Sequence, residues 1–257
     1  MKRSPLPFLL SLVFGLTAVS AEMIESGVWK WTDTKVEKTD SGEKRALFAG
    51  EAADLSNLSV HATTLNPGEK SHASQTHDNR EVMVVVKEGQ LSVTIGAETK
   101  ILGPGSVAVA LAGESHGWHN AGTTPVTYYV LQFQSRRGFT GDLALKNEPS
   151  MLIDEQDVAF SANPRGGYRG FFNRSTASLE LFELHETTLM EGVQNHPVHT
   201  HGAEEMVIML DGLVDLEING IRYEGKPGDV YFIAAMDPHT LFTKGDKPSR
   251  YFAFQWR

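Results

Sequence analysis

The sequence predicts an all-β protein of two tandem barrels, and three observations lead to that prediction. The 257-residue chain contains an internal repeat at an offset of about 124 residues. Short β-branched and aromatic runs such as SVAVAL and VTYYVLQF are bounded by Gly, Pro, Asn or Asp, as strands commonly are. No ten-residue stretch after position 21 has a helical hydrophobic period. Many short strands with regular turns favour a sandwich or barrel, and the repeat predicts two of them.

The repeat is clearest around a histidine-rich segment. VHATTLNPG (60–68) matches LHETTLMEG (184–192), and HASQTHDNRE (72–81) matches HPVHTHGAEE (196–205). Further along, the offset falls to 123, with His116 matching His239. We therefore expect copy one to carry one extra residue between Val82 and Gly89, and a β-bulge would absorb it.

The first 21 residues form a predicted export signal. Lys2 and Arg3 precede an apolar run that ends in Val19, Ser20 and Ala21. This pattern is typical of a secretory signal peptide cleaved before residue 22, which would make the mature protein periplasmic or secreted. The apolar run is short for a membrane span, so we expect no span after cleavage. The remaining chain divides into predicted domains at 22–145 and 146–257.

Composition excludes several classes of function. Without Lys2 and Arg3 the chain has 21 basic and 32 acidic residues, a formal charge of −11. This surface argues against a nucleic-acid partner, because phosphate binding depends on clustered Lys and Arg. The chain has no cysteine, which excludes disulfides, thiolate metal ligands and a cysteine nucleophile.

The stretch NHPVHTHGAEEMVIMLDG (195–212) indicates a metal site. His199 and His201 are two residues apart, so in an extended strand both side chains lie on one face. Glu205 follows four residues later, and the later segment GDVYFIAAMDPHTLF supplies His239. Three imidazoles and one carboxylate make a mixed nitrogen and oxygen site that suits a divalent transition metal.

These spacings resemble those of the cupins. Gly192, His199, His201, Glu205 and Gly212 fit the first cupin motif with one extra residue before the first histidine, and copy one fits most of the second motif with Gly105, Gly113, His116 and Asn120. The chain thus resembles a bicupin, which implies two jelly-roll barrels. It also implies a divalent ion, with Mn or Fe favoured and Zn, Cu or Ni possible, held by His199, His201, Glu205 and His239.

Copy one differs at an informative position, because Gln75 stands where copy two has His199. The corresponding set is Gln75, His77, Glu81 and His116, and an amide oxygen is a weaker ligand than imidazole. We expect this second set to hold metal less tightly or not at all. His61 and His185 recur in both copies, either as hydrogen-bonding support for the ligands or as ordinary packed barrel histidines.

The fold alone does not determine the reaction. A site of three histidines and one carboxylate leaves open positions for a small oxygen-rich substrate, which favours a dioxygenase, decarboxylase or hydrolase. Oxalate decarboxylases and ureidoglycine aminohydrolases are similar as bicupins, and an enzyme like the second is a competing hypothesis. The same residues would also suit a non-catalytic protein that binds a metal or small molecule, or a metal with a structural role. No catalytic residue is identified, and exposed sheet faces make a homodimer plausible.

Overall fold

A computed structural model describes residues 22–138, 149–176 and 178–257. The predicted all-β fold is confirmed: within those residues the only helical element is a single 3₁₀ turn at Glu155–Asp157. Within the same residues, no helix is long and apolar enough to cross a membrane. The predicted signal peptide (1–21) and the predicted domain boundary at 145/146 lie outside the described residues.

The strands of the described residues fall into two series of ten that follow the sequence repeat. The first series is β1 (Gly27–Trp29), β2 (Val36–Thr39), β3 (Gly42–Gly50), β4 (Leu55–Leu65), β5 (Glu81–Glu88), β6 (Leu91–Ile95), β7 (Glu98–Leu102), β8 (Val107–Ala110), β9 (His116–Asn120) and β10 (Val126–Ser135). The second is β11 (Met151–Ile153), β12 (Ser161–Asn163), β13 (Gly166–Arg174), β14 (Phe182–Leu189), β15 (Glu204–Asp211), β16 (Leu213–Ile218), β17 (Ile221–Gly225), β18 (Val230–Ile233), β19 (His239–Lys244) and β20 (Ser249–Trp256).

Each barrel is a flattened sandwich of one large and one small antiparallel sheet. The first barrel packs the seven-stranded sheet β11-β8-β5-β10-β4-β3-β2 over the three-stranded sheet β7-β6-β9. The second packs β1-β18-β15-β20-β14-β13-β12 over β17-β16-β19. The strand order is the same in both barrels, which confirms the tandem arrangement.

The two barrels exchange their edge strands. β1 from the start of the chain pairs with β18 in the second barrel, with Gly27 opposite Phe232. Its counterpart β11 pairs with β8 in the first barrel, with Met151 opposite Val109. Each half of the chain therefore contributes a strand to the large sheet of the other half, and a division between the two repeats does not coincide with a division between the two sheets.

In the part of the chain that the structure describes, the alternation of side chains along the strands produces three hydrophobic cores. In β5, Val82, Val84 and Val86 pack inside the first barrel, whereas Met83 and Val85 face the second barrel. In β15, Val207 and Met209 pack inside the second barrel. The outward faces of both large sheets meet in one shared core, so the barrels pack back to back.

The predicted position of the extra residue in copy one is wrong. Both copies have a β-bulge at this place, so the bulge does not distinguish them. Lys87 is skipped in the pairing of β5 with β10, and Leu210 is skipped in the pairing of β15 with β20. Across the sheets, Gln132 lies opposite Val82 and Gln255 opposite Glu205. The extra residue of copy one therefore lies before β5, in the loop 78–80, which corresponds to the shorter loop 202–203.

This register changes which glutamates correspond. Val82 occupies the place of Glu205, and Glu81 occupies the place of Glu204. Because side chains alternate between faces, a shift of one residue moves a side chain from the barrel interior to the opposite face. The predicted match of Glu81 with Glu205 is thus wrong.

Candidate metal centre

Three histidines converge inside one end of the second barrel. One nitrogen from each of His199, His201 and His239 lies within 4.8 Å of the other two. A two-way backbone pairing joins His199 to His239, at N–O distances of 3.2 and 3.0 Å. The start of β19 and the loop before β15 thus bring together residues that are forty positions apart in the sequence.

The backbone orients two of these rings. The Nδ1 atom of His201 lies 2.8 Å from the carbonyl oxygen of Ala203, and the Nδ1 atom of His239 lies 2.8 Å from that of Asp237. A ring that donates through Nδ1 points its Nε2 atom to the other side, which is the usual arrangement of a metal-binding histidine. Among the described residues, the buried Nε2 atom of His239 has no hydrogen-bond partner. The residues present therefore fit a metal ion.

The carboxylate of Glu205 lies beside two of these histidines. Its Oε2 atom lies 3.0 Å from Nε2 of His201 and 3.6 Å from Nε2 of His239, and it accepts a 3.0 Å hydrogen bond from Gln255. Burial alone would raise the pKa of Glu205, but the hydrogen bond with His201 and the electrostatic attraction of the nearby His239 and His201 rings outweigh burial and hold that pKa well below its usual range. The bond to Glu205 in turn raises the pKa of His201. A proton shared between these two side chains lies where a cation would bind, and metal binding would displace it.

A cavity of about 660 Å³ opens beside His199 and Glu205. Its wall comes from β13, β14 and β20 and includes His185, His196, His199, Glu205, Tyr251 and Gln255. Polar groups with several donors and acceptors thus border a space large enough for a small metabolite.

His196 is a further residue of the site, and the sequence did not indicate it. Its ring lies 3.9 Å from that of His199, centroid to centroid, and its Nδ1 atom lies 3.0 Å from the carbonyl oxygen of Pro197. Burial lowers the pKa of His196, which favours the neutral ring. The repeat pairs His196 with His72, but sequence spacing alone does not show that His196 borders the cavity.

The two recurring strand histidines occupy equivalent places in the two barrels. His185 borders the cavity, and its Nδ1 atom lies 2.9 Å from Oε1 of Glu183. His61 lies in β4 of the first barrel, and burial lowers its pKa to about 4. Both interpretations of these histidines remain predictions, although His185 is close enough to the cavity to contact a bound molecule.

The first barrel brings together only part of its predicted set. His77 and His116 lie 5.4 Å apart between ring centroids, and Gln75 pairs with His116 through the backbone. Glu81 does not join them: it lies on the opposite face of β5, where it accepts a 2.8 Å hydrogen bond from Thr176. Val82 faces the interior in its place. The predicted second set is therefore wrong with respect to Glu81.

Similarity to known proteins is found in both halves of the chain. The sequence profile of the cupin domain matches residues 61–132 and 185–254. No curated protein matches the sequence. A putative glyoxylate-induced protein from Pseudomonas aeruginosa has a similar structure, with 19% identity, a TM-score of 0.72 and coverage of 95% of this chain and 93% of the other.

Two further solved structures share this fold. AerE from Microcystis aeruginosa is 16% identical with a TM-score of 0.66, covering 87% of this chain and 97% of the other. The oxalate decarboxylase of Lactobacillus farciminis, in a formate complex, is 12% identical with a TM-score of 0.68, covering 90% and 86%. At such low identities the similarity shows the fold alone.

Proposed function

Since the chain belongs to the cupin family, with two cupin domains in tandem, we propose that its second barrel binds one divalent metal ion and acts as a metal-dependent enzyme. The observation that carries this proposal is the convergence of one nitrogen each from His199, His201 and His239, with the buried carboxylate of Glu205 beside His201 and His239. Mn and Fe are favoured by the resemblance, and the affinity order keeps Zn, Cu and Ni as candidates.

The substrate proposed is a small oxygen-rich metabolite. The cavity of about 660 Å³ limits the size of the substrate, and its polar wall supplies hydrogen bonds. The ion would supply Lewis-acid activation of a bound oxygen. His196 is the residue best placed to exchange a proton with the substrate, because it borders the cavity beside His199 without belonging to the three-histidine group. A dioxygenase, a decarboxylase or a hydrolase would all suit this arrangement.

Two competing functions are distinguishable by experiment. A ureidoglycine aminohydrolase-like enzyme would release ammonia from a ureido substrate, and a binding protein would bind a small molecule without turnover. A screen of small carboxylates, enols and ureido compounds, with each metal added in turn to chelator-treated protein, separates these cases. Binding without product for every compound that binds would contradict the enzyme proposal.

The metal proposal has a direct test with a matched control. His201→Ala removes a ligand from the second barrel, and His77→Ala makes the equivalent change in the first. We expect elemental analysis to find one tightly held ion per chain, lost in His201→Ala and kept in His77→Ala. Two equally tight ions, or a larger loss in His77→Ala, would refute the assignment to the second barrel.

Export is proposed from the signal-like start of the sequence. Cleavage before Glu22 would leave every described strand intact, because the first of them begins at Gly27. Such a protein would be periplasmic or secreted. N-terminal sequencing of the protein from envelope or culture fractions tests this, and an intact Met1 terminus would refute it.

Small molecules are the partners proposed for the mature protein, and no nucleic acid is expected. A homodimer of the whole chain is proposed from its exposed sheet faces. Light scattering at micromolar concentration tests it, and the mass of a monomer would refute it.

A further inference from the structure

The interior of the first barrel has a site equivalent to the metal centre but with different chemistry. Gln75 and His116 are joined by the same backbone pairing as His199 and His239. The carbonyl oxygen of His77 accepts a hydrogen bond from the N–H of Gly113, as that of His201 does from Met236. The backbone frame is therefore retained, and any difference in function comes from the side chains.

The charge of this site is reversed. Val82 replaces the carboxylate of Glu205, as the strand register shows. In addition, the longer loop before β5 brings Arg80 inward, where its Nη1 atom donates a 3.2 Å hydrogen bond to Oε1 of Gln132. Gln132 is the counterpart of Gln255, which holds Glu205 in the second barrel. A guanidinium thus replaces a carboxylate, which disfavours a cation and favours an anion.

Three nitrogens at this site need a partner. Within the described part of the chain, Nε2 of His77, Nε2 of His116 and Nε of Arg80 are buried without a hydrogen bond. Buried polar groups of this kind are almost always paired, and His77 and His116 lie only 5.4 Å apart between ring centroids, so this group of nitrogens indicates a ligand. The aromatic ring of Trp118 stacks on His116 at 5.7 Å between centroids and covers one side of this histidine ring.

The hydrogen-bonding roles narrow the ligand class. Arg80 can only donate, so it requires an acceptor such as a carboxylate oxygen. His116 uses its Nδ1 atom on the carbonyl oxygen of Glu114, at 3.0 Å, so the Nε2 atom of its neutral ring accepts. A ligand with an oxygen acceptor for Arg80 and an O–H group for His116 satisfies both, and the positive charge of the guanidinium favours an anionic oxygen as that acceptor.

We propose that the first barrel is a metal-free binding site for a small carboxylate that carries a hydroxyl group. Arg80 binds the carboxylate of this ligand, and His116 or His77 accepts the hydrogen bond from its hydroxyl group. The two barrels of one chain thus bind different partners, a cation in the second and an anion in the first.

Calorimetry on the mature, chelator-treated protein tests this proposal with glycolate as the probe. Acetate lacks the hydroxyl group, and inorganic phosphate tests for a general oxyanion site. We expect glycolate to bind once per chain, acetate to bind about tenfold more weakly, and Arg80→Gln to weaken glycolate binding at least tenfold. Arg165→Gln, which changes an arginine bordering the second cavity, is the matched control and should bind glycolate as the unchanged protein does.

Several outcomes would overturn the proposal. These are the absence of glycolate binding, equal binding of acetate, tighter binding of phosphate, or a loss of binding in Arg165→Gln but not in Arg80→Gln. If Arg80→Gln does not fold, the test instead follows the NMR signals of the histidine rings in the unchanged protein. Glycolate should shift the signals of His77 and His116, and a shift confined to His196 and His199 would place the ligand in the second barrel and refute the proposal.

Discussion

Glu204 in the second barrel accepts a 2.7 Å hydrogen bond from the backbone N–H of Ala53 in the first. Glu81, the counterpart of Glu204, makes the reciprocal contact by accepting a hydrogen bond from Thr176. Both carboxylates are buried at the interface between the barrels. The two glutamates therefore join the barrels, and neither faces a metal site.

We predict that Glu81→Ala destabilises the protein without changing its metal content. The change leaves the hydroxyl of Thr176 without its buried acceptor, at a cost of about 1–3 kcal/mol. Urea unfolding measures the loss, and elemental analysis measures the metal. Glu205→Ala is the control, because it should remove the metal. A loss of metal in Glu81→Ala would show that Glu81 is a metal ligand and would contradict this prediction.

We predict that Gln255→Leu weakens metal binding by about tenfold to a hundredfold, as the loss of residues that orient a ligand commonly does. The hydrogen bond from Gln255 to Oε2 of Glu205 orients the carboxylate. Gln132→Leu makes the equivalent change in the first barrel and should leave metal affinity unchanged. Competition with a chromogenic chelator gives both affinities, and equal effects of the two changes would contradict this role of Gln255.

Met236→Gly is expected to stabilise the fold by about 1 kcal/mol. Met236 has a φ of +68° and its counterpart Gly113 has a φ of +85°, so a bulky residue occupies a left-handed position. The side chain is 61% exposed, so little packing is lost with it. Asn219→Gly is the control, because Asn tolerates its φ of +52° and a smaller change is expected. Thermal unfolding compares them, and a lower midpoint in Met236→Gly would show that the side chain has a stabilising contact.

Acid should destabilise the protein through His61. Burial lowers the pKa of His61 from 6.5 to about 4, so between these values the unfolded chain takes up a proton that the folded protein does not. The free energy of unfolding is therefore unaffected by His61 above pH 6.5 and falls by roughly 2–3 kcal/mol as the pH drops toward 4. Denaturant unfolding from pH 7 to 4 should show a smaller decline in His61→Asn. Parallel declines in the two proteins would mean that His61 does not contribute.

Sequence alone predicted the two barrels and which four residues of copy two lie together. The reason is that the repeat spans most of the chain and that His199, His201 and Glu205 are close in sequence. It could not predict the face of Glu81, because Glu204 and Glu205 are adjacent and either one aligns with it. In a strand with a period of two, that one-residue ambiguity decides between the interior and the interface.

Arg80 and the edge strands were unpredictable for a different reason. The inward turn of Arg80 depends on the length of a loop, and a loop's direction is not encoded by hydrophobic alternation. Likewise, β1 and β11 are strand-like in sequence, but their pattern does not specify which sheet edge they join. His196 was missed because its position depends on the same kind of loop.

The exchange of β1 and β11 has a consequence for the ancestry of the chain. Two chains of one barrel each, every chain lending its first strand to the other, would form a symmetric, strand-swapped pair with the same back-to-back interface. Fusion of two such genes would turn that pair into a single polypeptide. Each half would then be free to diverge in its ligand without losing its partner, since the other half is always present at a fixed one-to-one ratio.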